Sequence, residues 1–167
     1  MKHLKKLISF AVILTAFSAA TFAQAFATAT ATIVSPILIT KSLDMNFGNV
    51  AVGTTAGTVV MTPAGVRSAT GGVTLPATVG TVSAATFNVT GTTGYTYTIV
   101  ITGSPLTVTS GGNTMTVTAF TNSPTSPATL AAGNNALTVG ATLNVGASQA
   151  AGLYVSGSSF TVTVNYN

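Results

Sequence analysis

Few charged side chains lie outside the amino-terminal segment, and they restrict the chemistry that this chain of 167 residues can perform. Beyond residue 25 only Lys41, Asp44 and Arg67 carry charge, and the chain has no cysteine and no histidine other than His3. A nucleophile with a histidine base cannot be assembled from this set, nor can two paired carboxylates. Zinc would lack its nitrogen and sulfur ligands, and calcium would have one carboxylate. We therefore predict that the protein is not an enzyme and has no catalytic residues, metal site or cofactor.

Two of these charged residues leave narrower alternatives open. A Ser-Lys or Thr-based catalytic site could use Lys41, although no motif in the sequence argues for one. Asp44 lies in the segment 43–48, which reads Leu-Asp-Met-Asn-Phe-Gly, and it could contact a partner. The simpler interpretation is that Asp44 holds the local backbone or pairs with Lys41 or Arg67, as aspartates near turns commonly do.

The first 25 residues have the form of a secretory signal peptide. Three lysines within the first six residues precede an apolar run over residues 7–20, which is shorter than the roughly 20 residues of a membrane-spanning helix. Small residues follow, and we predict cleavage after Ala25, with cleavage after Ala23 or Ala27 as the neighbouring alternatives and an uncleaved anchor as the competing interpretation. The mature chain would be one domain over residues 26–167 without a membrane span, exported through the periplasm to the cell surface or the extracellular space.

Removing this segment changes what the net charge means. The full chain has a formal charge of +4, but the mature chain keeps two cations and one anion, which gives +1. Nucleic-acid binding requires a patch of several lysines or arginines that displaces counterions from phosphates. We therefore predict no nucleic-acid partner, and we expect solubility to depend on threonine, serine, asparagine and glycine.

The recurring pattern of the mature chain is alternation with a period of two, which places every second side chain on one face of a strand. The first such segment is residues 27–40, which contains Pro36 and therefore suits an edge position or a break. The last is the segment 160–166 near the carboxyl terminus. The apolar positions of the first segment are Ala27, Ala29, Ala31, Ile33, Ile37 and Ile39, and those of the last are Phe160, Val162, Val164 and Tyr166.

Further alternating segments and turn residues favour two packed antiparallel sheets. The additional strands are predicted around residues 85–89, 95–101, 115–119 and 143–145. Turns are predicted at residues 71–72, 103–105, 111–113, 133–135 and 157–158. Residues 122–135 are expected to form the longest loop, and the alternation predicts that Tyr95 and Tyr97 are buried.

The order of these segments resembles a secreted bacterial family of unassigned function, the domain of unknown function 4402. The resemblance covers nearly the whole mature chain, although each motif is loose. The segments that carry it are 43–48, 85–91, 115–117, 140–145, 152–154 and 160–166. More distantly, the closing strand with its penultimate Tyr166 is similar to subunits of chaperone-usher pili and to spore-coat-type secreted domains. This similarity implies a single-domain, all-β, immunoglobulin-like antiparallel β-sandwich.

The pilin similarity also implies a way of assembling. A periplasmic chaperone would pair with the closing strand at Phe160, Val162, Val164 and Tyr166. An alternating amino-terminal extension would complete the sandwich of the next subunit, since strand addition takes affinity from main-chain hydrogen bonds and register from alternate side chains. The donor side chains would be Ala27, Ala29, Ala31, Ile33, Ile37 and Ile39. The chain differs from common pilins in having no disulfide and in starting this set with alanines, and its first strand could instead fold back into its own domain.

Two functions remain at this stage. The first is a structural protein, a pilus-like or matrix subunit that assembles with other copies of itself through strand pairing. The second is a monomeric adhesin or glycan-binding module that would use residues 122–135 with Tyr95, Tyr97 or Tyr154, because sugar sites commonly place an exposed ring beside hydrogen-bonding groups. The predicted burial of Tyr95 and Tyr97 favours the structural function.

Overall fold

The computed structural model describes residues 22–167, and all of the regular structure in that range is β-strand. The strands are β1 (Leu38–Leu43), β2 (Ala51–Met61), β3 (Arg67–Thr74), β4 (Ala85–Thr90), β5 (Thr96–Thr102), β6 (Leu106–Ser110), β7 (Asn113–Ser123), β8 (Ala128–Thr129), β9 (Asn134–Val145), β10 (Val155–Ser156) and β11 (Thr161–Tyr166). Threonine and valine dominate them, as expected of residues whose branched side chains suit a pleated surface.

The larger of the two sheets is organised around β9. Its main path runs β1-β4-β9-β7-β6-β10, with β2 also beside β9 and β3 beside β2, and every pairing is antiparallel. The first half of β9 pairs with β4 and the second half with β2, while β7 pairs along the opposite edge. β4 and β2 therefore share one edge of β9, and the pairing partner of β9 changes from β4 to β2 at Gly140.

The smaller sheet, in the order β11-β5-β8, packs on the part of the large sheet formed by β1, β4 and the first half of β9. We call this part of the molecule the closed half. Its core is close-packed, and four of its side chains are fully buried: Val89, Tyr97, Leu130 and Leu137. Ile37 and Ile39 from the start of the domain pack against the same cluster.

The rest of the large sheet, formed by β2, β3, β6, β7 and the second half of β9, is the open half. Its apolar cluster includes Val59, Leu106, Val117 and Leu143. Half of the side chains packed on that cluster come from strands of the large sheet, and none of them belongs to the strands of the small sheet. The other half come from loops and are Met45, Phe47, Val50, Leu75 and Phe160. Loops therefore cover in the open half what a second sheet covers in the closed half.

The structure confirms the predicted single-domain, all-β antiparallel sandwich and most of its strands. The alternating segments around residues 85–89, 96–101, 115–119, 143–145 and 161–166 lie in β4, β5, β7, β9 and β11, while Tyr95 and Phe160, the first residues of two predicted segments, precede their strands. The prediction of a long loop at residues 122–135 is wrong, because β8 and the fully buried Leu130 lie within it. The first strand begins at Leu38, so that residues 27–37 of the predicted strand lie outside it.

The predicted turn at Gly71 and Gly72 is also wrong, because both residues lie inside β3. The backbone of β2 approaches them so closely that side chains are excluded. A Cβ at Gly71 would lie 2.4 Å from the Ala56 carbonyl oxygen, and one at Gly72 would lie 2.0 Å from that of Thr55. Gly71 also has a φ of +64°, and glycine adopts this left-handed conformation without steric cost. These glycines serve close strand contact at an irregular pairing.

The described chain divides into two units, and the strands belong to the second, Val34–Asn167. Residues 22–33 contain no helix or strand, and every side chain in that range is exposed. Phe26 and Ile33 are 91% and 97% exposed. Most of the predicted signal peptide, residues 1–21, lies outside the described residues.

Candidate functional site: a strand edge and an apolar cleft

The outer edge of β11 is the first surface that suits binding. β11 pairs with β5 over its whole length, and its other edge has no strand partner within residues 22–167. Val162, Val164 and Tyr166 point into the core of the closed half, whereas Thr161, Thr163 and Asn165 are exposed. The main-chain groups on the outer edge are therefore not used by another strand of this part of the chain.

β1 forms the corresponding edge of the large sheet. It pairs with β4 on one side and contacts β11 without being paired to it. Ile37 and Ile39 pack in the same cluster as Val162 and Val164, and only 7% of Val164 is exposed. The space between the two edge strands thus has an apolar base that is already filled by large side chains.

The penultimate residue fixes one end of this pair of edges. The Tyr166 hydroxyl accepts a hydrogen bond from the Thr92 backbone N–H at 2.6 Å and donates one to the Ser35 carbonyl at 3.1 Å. The Ser35 N–H donates to the Thr92 hydroxyl at 3.0 Å. Gly91 makes room for this arrangement, since a Cβ there would lie 2.2 Å from the Tyr166 hydroxyl oxygen. Ser35 is consequently held at the Tyr166 end of β11.

The second surface is a cleft of about 890 Å³ in the open half. Its floor consists of alternate side chains of β6, β7 and β9, which the strand pleat directs to one face of the sheet. Its walls are residues 44–52, 149–156 and 159–160, together with Lys41, Ala85 and Phe87. The floor residues are Leu106, Val108, Met115, Val117, Leu143 and Val145.

The polar groups of the cleft bond mainly to one another. Lys41 Nζ donates to Asp44 Oδ1 at 2.7 Å. The Gln149 side-chain amide donates to the Tyr154 hydroxyl at 2.9 Å, and that hydroxyl donates to the Ala150 carbonyl at 2.8 Å. The cleft therefore presents an apolar floor with a neutralised rim.

Asp44 follows the simpler of the two interpretations of its role, because it pairs with Lys41. Arg67 takes no part in this pair. Its guanidinium donates to the Phe47 carbonyl and, at 3.0 Å, to the Asn49 carbonyl, and so holds the cleft-wall segment against β3.

The candidate donor residues divide between two environments. Ala27, Ala29, Ala31 and Ile33 are exposed in the segment without strands, whereas Ile37 and Ile39 lie in the domain's own core. The candidate closing-strand residues divide in another way. Val162, Val164 and Tyr166 belong to the closed half, while Phe160 precedes β11 and stacks against Phe120 in the open half at a centroid distance of 4.7 Å.

The tyrosines suggested for glycan binding also differ from one another. Tyr97 is fully buried, as predicted, but Tyr95 is 42% exposed, so its predicted burial is wrong. Tyr95 lies one residue before β5 and is therefore outside the sheet. The centroid of its ring lies 5.5 Å from the centroid of the Tyr166 ring. Tyr154 is half-buried in the cleft wall.

The buried Tyr97 hydroxyl has no hydrogen-bond partner among the described residues. Burial raises the pKa of Tyr97 above 10.0, and the side chain of Asn135 nearby opposes part of this rise. The Asn135 amide donates instead to the Thr129 carbonyl, at 3.3 Å. Since Tyr97 lies in the core of the closed half and lines neither surface, we assign it no binding role.

The sequence did not reveal the cleft. The alternation of Leu106 and Val108 in β6 is only five residues long, and the floor forms only when β6, β7 and β9 are side by side. Among residues 22–167 there is no group of three metal-ligating side chains and no helix of the length and apolar character needed to cross a membrane. What the arrangement offers is a backbone edge for strand pairing and an apolar cleft for a ligand.

These features define an antiparallel β-sandwich domain in which the outer edge of β11 has no strand partner within residues 22–167. The chain belongs to the family described as domain of unknown function 4402, whose family model matches residues 37–166. No curated protein and no solved structure matches the chain. The more distant similarity to pilin and spore-coat-type domains therefore stays a prediction.

Proposed function

We propose that the protein is an exported, non-catalytic structural subunit of a surface filament or extracellular matrix, assembled through β-strand complementation. In this assembly, residues 26–33 of one copy, called the amino-terminal arm, pair with the outer edge of β11 in the next copy. The observation that carries the proposal is the unpaired edge of β11 above a filled apolar base.

The chemistry of the edge suits strand addition. Exposed edge strands are commonly protected against pairing by lysines, prolines or bulges. The solvent-facing side chains of β11 are Thr161, Thr163 and Asn165, which carry no charge. An incoming strand would meet no charge repulsion there, and it would gain main-chain hydrogen bonds along the edge.

The arm has a matching length and pattern. Residues 27–33 would extend over about 23 Å as a strand, and the six residues of β11 cover about 20 Å. Ala27, Ala29, Ala31 and Ile33 would share the face turned toward the domain. The three alanines suit a position beside a base that Val164 and its neighbours already occupy, and Ile33 would place one larger side chain at the end of the arm.

The structure sharpens the test of this proposal. Deleting residues 26–33 removes the arm, whereas a longer deletion would remove Ser35, which Thr92 and Tyr166 hold, and part of β1. We expect the protein beginning at residue 26 to form oligomers or filaments in size-exclusion chromatography and negative-stain microscopy. We expect the deletion variant to be a monomer that unfolds cooperatively. Polymers that persist in the deletion variant would refute the proposal.

Two matched substitutions test the predicted facing of the arm. Ala29→Glu places a charge on the face of the arm turned toward the core of the closed half, and Thr30→Glu places the same charge on the opposite, solvent-facing side. We expect Ala29→Glu to abolish oligomers and Thr30→Glu to retain them, because only the first charge would be buried by pairing. Equal behaviour of the two variants would contradict the proposed pairing of the arm.

Export is part of the proposal and has its own measurement. The lysine-rich, apolar segment 1–25 supports it. Amino-terminal sequencing of the protein recovered from the periplasm or the culture medium should give a mature chain that starts at Phe26. Recovery of the intact chain from the cytoplasm alone would contradict export.

One observation favours the alternative of a monomeric glycan-binding module. Tyr95 exposes 42% of its surface beside Tyr166, and exposed rings commonly stack on sugars. In that case the arm-deleted monomer would bind on a glycan array and Tyr95→Ala would remove the signal, while Val100→Ala, at another exposed position of the same region, would not. Absence of any signal on the array would dismiss this function.

A further inference from the structure

The cleft of the open half is lined by none of the strand residues of β11, so it is separate from the edge to which the proposed arm would bind. Its volume of about 890 Å³ lies within the range of small-molecule sites, roughly 300–1,000 Å³. Six aliphatic or thioether side chains of three adjacent strands form its floor; Val108 and Met115 are half-buried, whereas Leu106, Val117, Leu143 and Val145 are at most 8% exposed. The apolar surface that a ligand would meet therefore comes from Val108, Met115 and the wall side chains.

The charges around the cleft identify the class of ligand. Lys41 and Asp44 are the charged residues of the lining, and they neutralise each other at 2.7 Å. An ionised ligand would lose hydration on entering the cleft, and no unpaired charge of the lining would compensate for this loss. An uncharged ligand would have a much smaller desolvation cost.

The walls add a second indication. Phe47, Phe87 and Phe160 provide aromatic surface, and Phe160 also packs edge-on against Phe87 at a centroid distance of 6.4 Å. Leu153 and Val155, at the rim, are 82% and 56% exposed. Apolar side chains at the entrance of an apolar cleft extend the surface available to a hydrophobic ligand.

We propose that this cleft binds a small, uncharged molecule with an apolar body. The floor would remove the apolar body from water, which provides most of the affinity. Gln149 and Tyr154 would lie beside the polar end of such a molecule, where the Gln149 carbonyl oxygen can accept a hydrogen bond. This site is independent of strand complementation, because it requires only one copy of the domain.

The test uses N-phenyl-1-naphthylamine, a neutral apolar probe whose fluorescence rises when it leaves water. We expect the protein beginning at residue 26 to bind it saturably at one site, and to bind the anionic naphthalene sulfonate probe ANS more weakly. Met115→Trp fills the floor and should weaken binding of the neutral probe at least about tenfold, because the cleft loses the volume that the probe occupies. Val100→Trp, at an exposed position outside the lining, should leave binding unchanged.

Cooperative thermal unfolding of each variant checks that the probe reports on folded protein, and Val108→Phe replaces Met115→Trp if the latter does not fold. Absence of saturable binding, or equal binding by wild type and the floor variant, would overturn the proposal. Probe binding that appears only after residues 26–33 are deleted would mean that the arm occupies the cleft, and this result would also overturn the proposal. Sedimentation with phosphatidylcholine vesicles would overturn it too, by assigning the apolar surface to a membrane. The two proposals are tested independently: if the arm variants do not affect the oligomers, we still expect the same probe binding to the cleft.

Discussion

The closed and open halves of the sandwich share β9, but the apolar side chains of this strand are covered differently in each half. In the closed half, the small sheet covers the large one, and Leu137 is fully buried. In the open half, loops cover the same strand six residues later, and Leu143 lies on the floor of the cleft. Sheet-on-sheet packing fills the space between elements, whereas a loop covering leaves room for a ligand.

The difference shows how one sheet can serve stability and binding at once. Burial in the closed half secures the strands, and the second half of β9 is held in place by its pairing with β2 and β7. The cleft therefore has a rigid floor even though its walls are loops. Four measurements can break or sharpen this comparison.

The largest effect should come from matched truncations of β9. We expect Leu137→Ala to lower the free energy of unfolding by about 3–4 kcal/mol, because it leaves a cavity in a filled core. Leu143→Ala should cost about 2 kcal/mol, since its side chain, although only 5% exposed, lines the cleft and so has fewer packing partners to lose. Urea denaturation of the protein lacking its first 25 residues measures both. Equal losses would mean that the open half is packed as tightly as the closed half.

A glycine in each half gives the next largest contrast. Gly91→Ala should destabilise the protein by about 2 kcal/mol, because the added methyl would collide with the Tyr166 hydroxyl and with the buried Leu130. Gly152→Ala, in the cleft wall, would meet only the side chain of Ser110, whose hydroxyl can rotate away and whose Cβ would lie at 3.3 Å, and should have a smaller effect. Thermal unfolding compares the two variants. A tolerated Gly91→Ala would show that the closed half can relax.

The buried Tyr97 makes the closed half sensitive to high pH. Its raised pKa means that stability is complete below the unfolded-state pKa near 10.0 and is lost as the pH rises through the higher folded-state value. Tyr97→Phe should remove this part of the loss, while at neutral pH stability should change by less than about 1 kcal/mol because the hydroxyl has no partner. Thermal unfolding between neutral pH and pH 11 provides the measurement. An identical pH profile in wild type and variant would contradict this account.

The smallest effect is expected at the rim of the cleft. The side chains of Lys41 and Asp44 are 56% and 80% exposed, so their ion pair should contribute less than about 0.5 kcal/mol and should weaken with salt. A double-mutant cycle with Lys41→Met and Asp44→Asn measures this coupling. A larger, salt-resistant coupling would indicate that the rim is better shielded from water than its exposure implies.

The parts of the fold that could be predicted from the sequence are those with local alternation. The segment 160–166 alternates clearly, and all but its first residue form β11. The hairpin of β2 and β3 was missed because its glycines resemble turn residues, although close approach of the two backbones requires them. The division of the first alternating segment was predicted in part, because Pro36 indicated an edge position or a break, and β1 begins two residues later at a sheet edge. Local alternation did not reveal that residues 27–33 have no partner strand within residues 22–167.

The two candidate surfaces differ in the same respect. The closing strand was recognised because its pattern is contiguous in sequence, but its free edge is a property of topology. The cleft depends on strands that are distant in sequence: Leu106 and Leu143 flank Val117 only because β7 pairs with both β6 and β9. No local pattern records such a contact.

The loop walls of the cleft have a consequence for how this domain can diverge. Residues 44–52 and 149–156 line the cleft, yet the fully buried core residues of the closed half lie elsewhere. Substitutions and length changes in these loops can alter what the cleft accepts while the inherited β-framework is retained. We therefore expect members of the family to differ more in these two loops than in the strands beneath them, so that one scaffold can acquire several ligands.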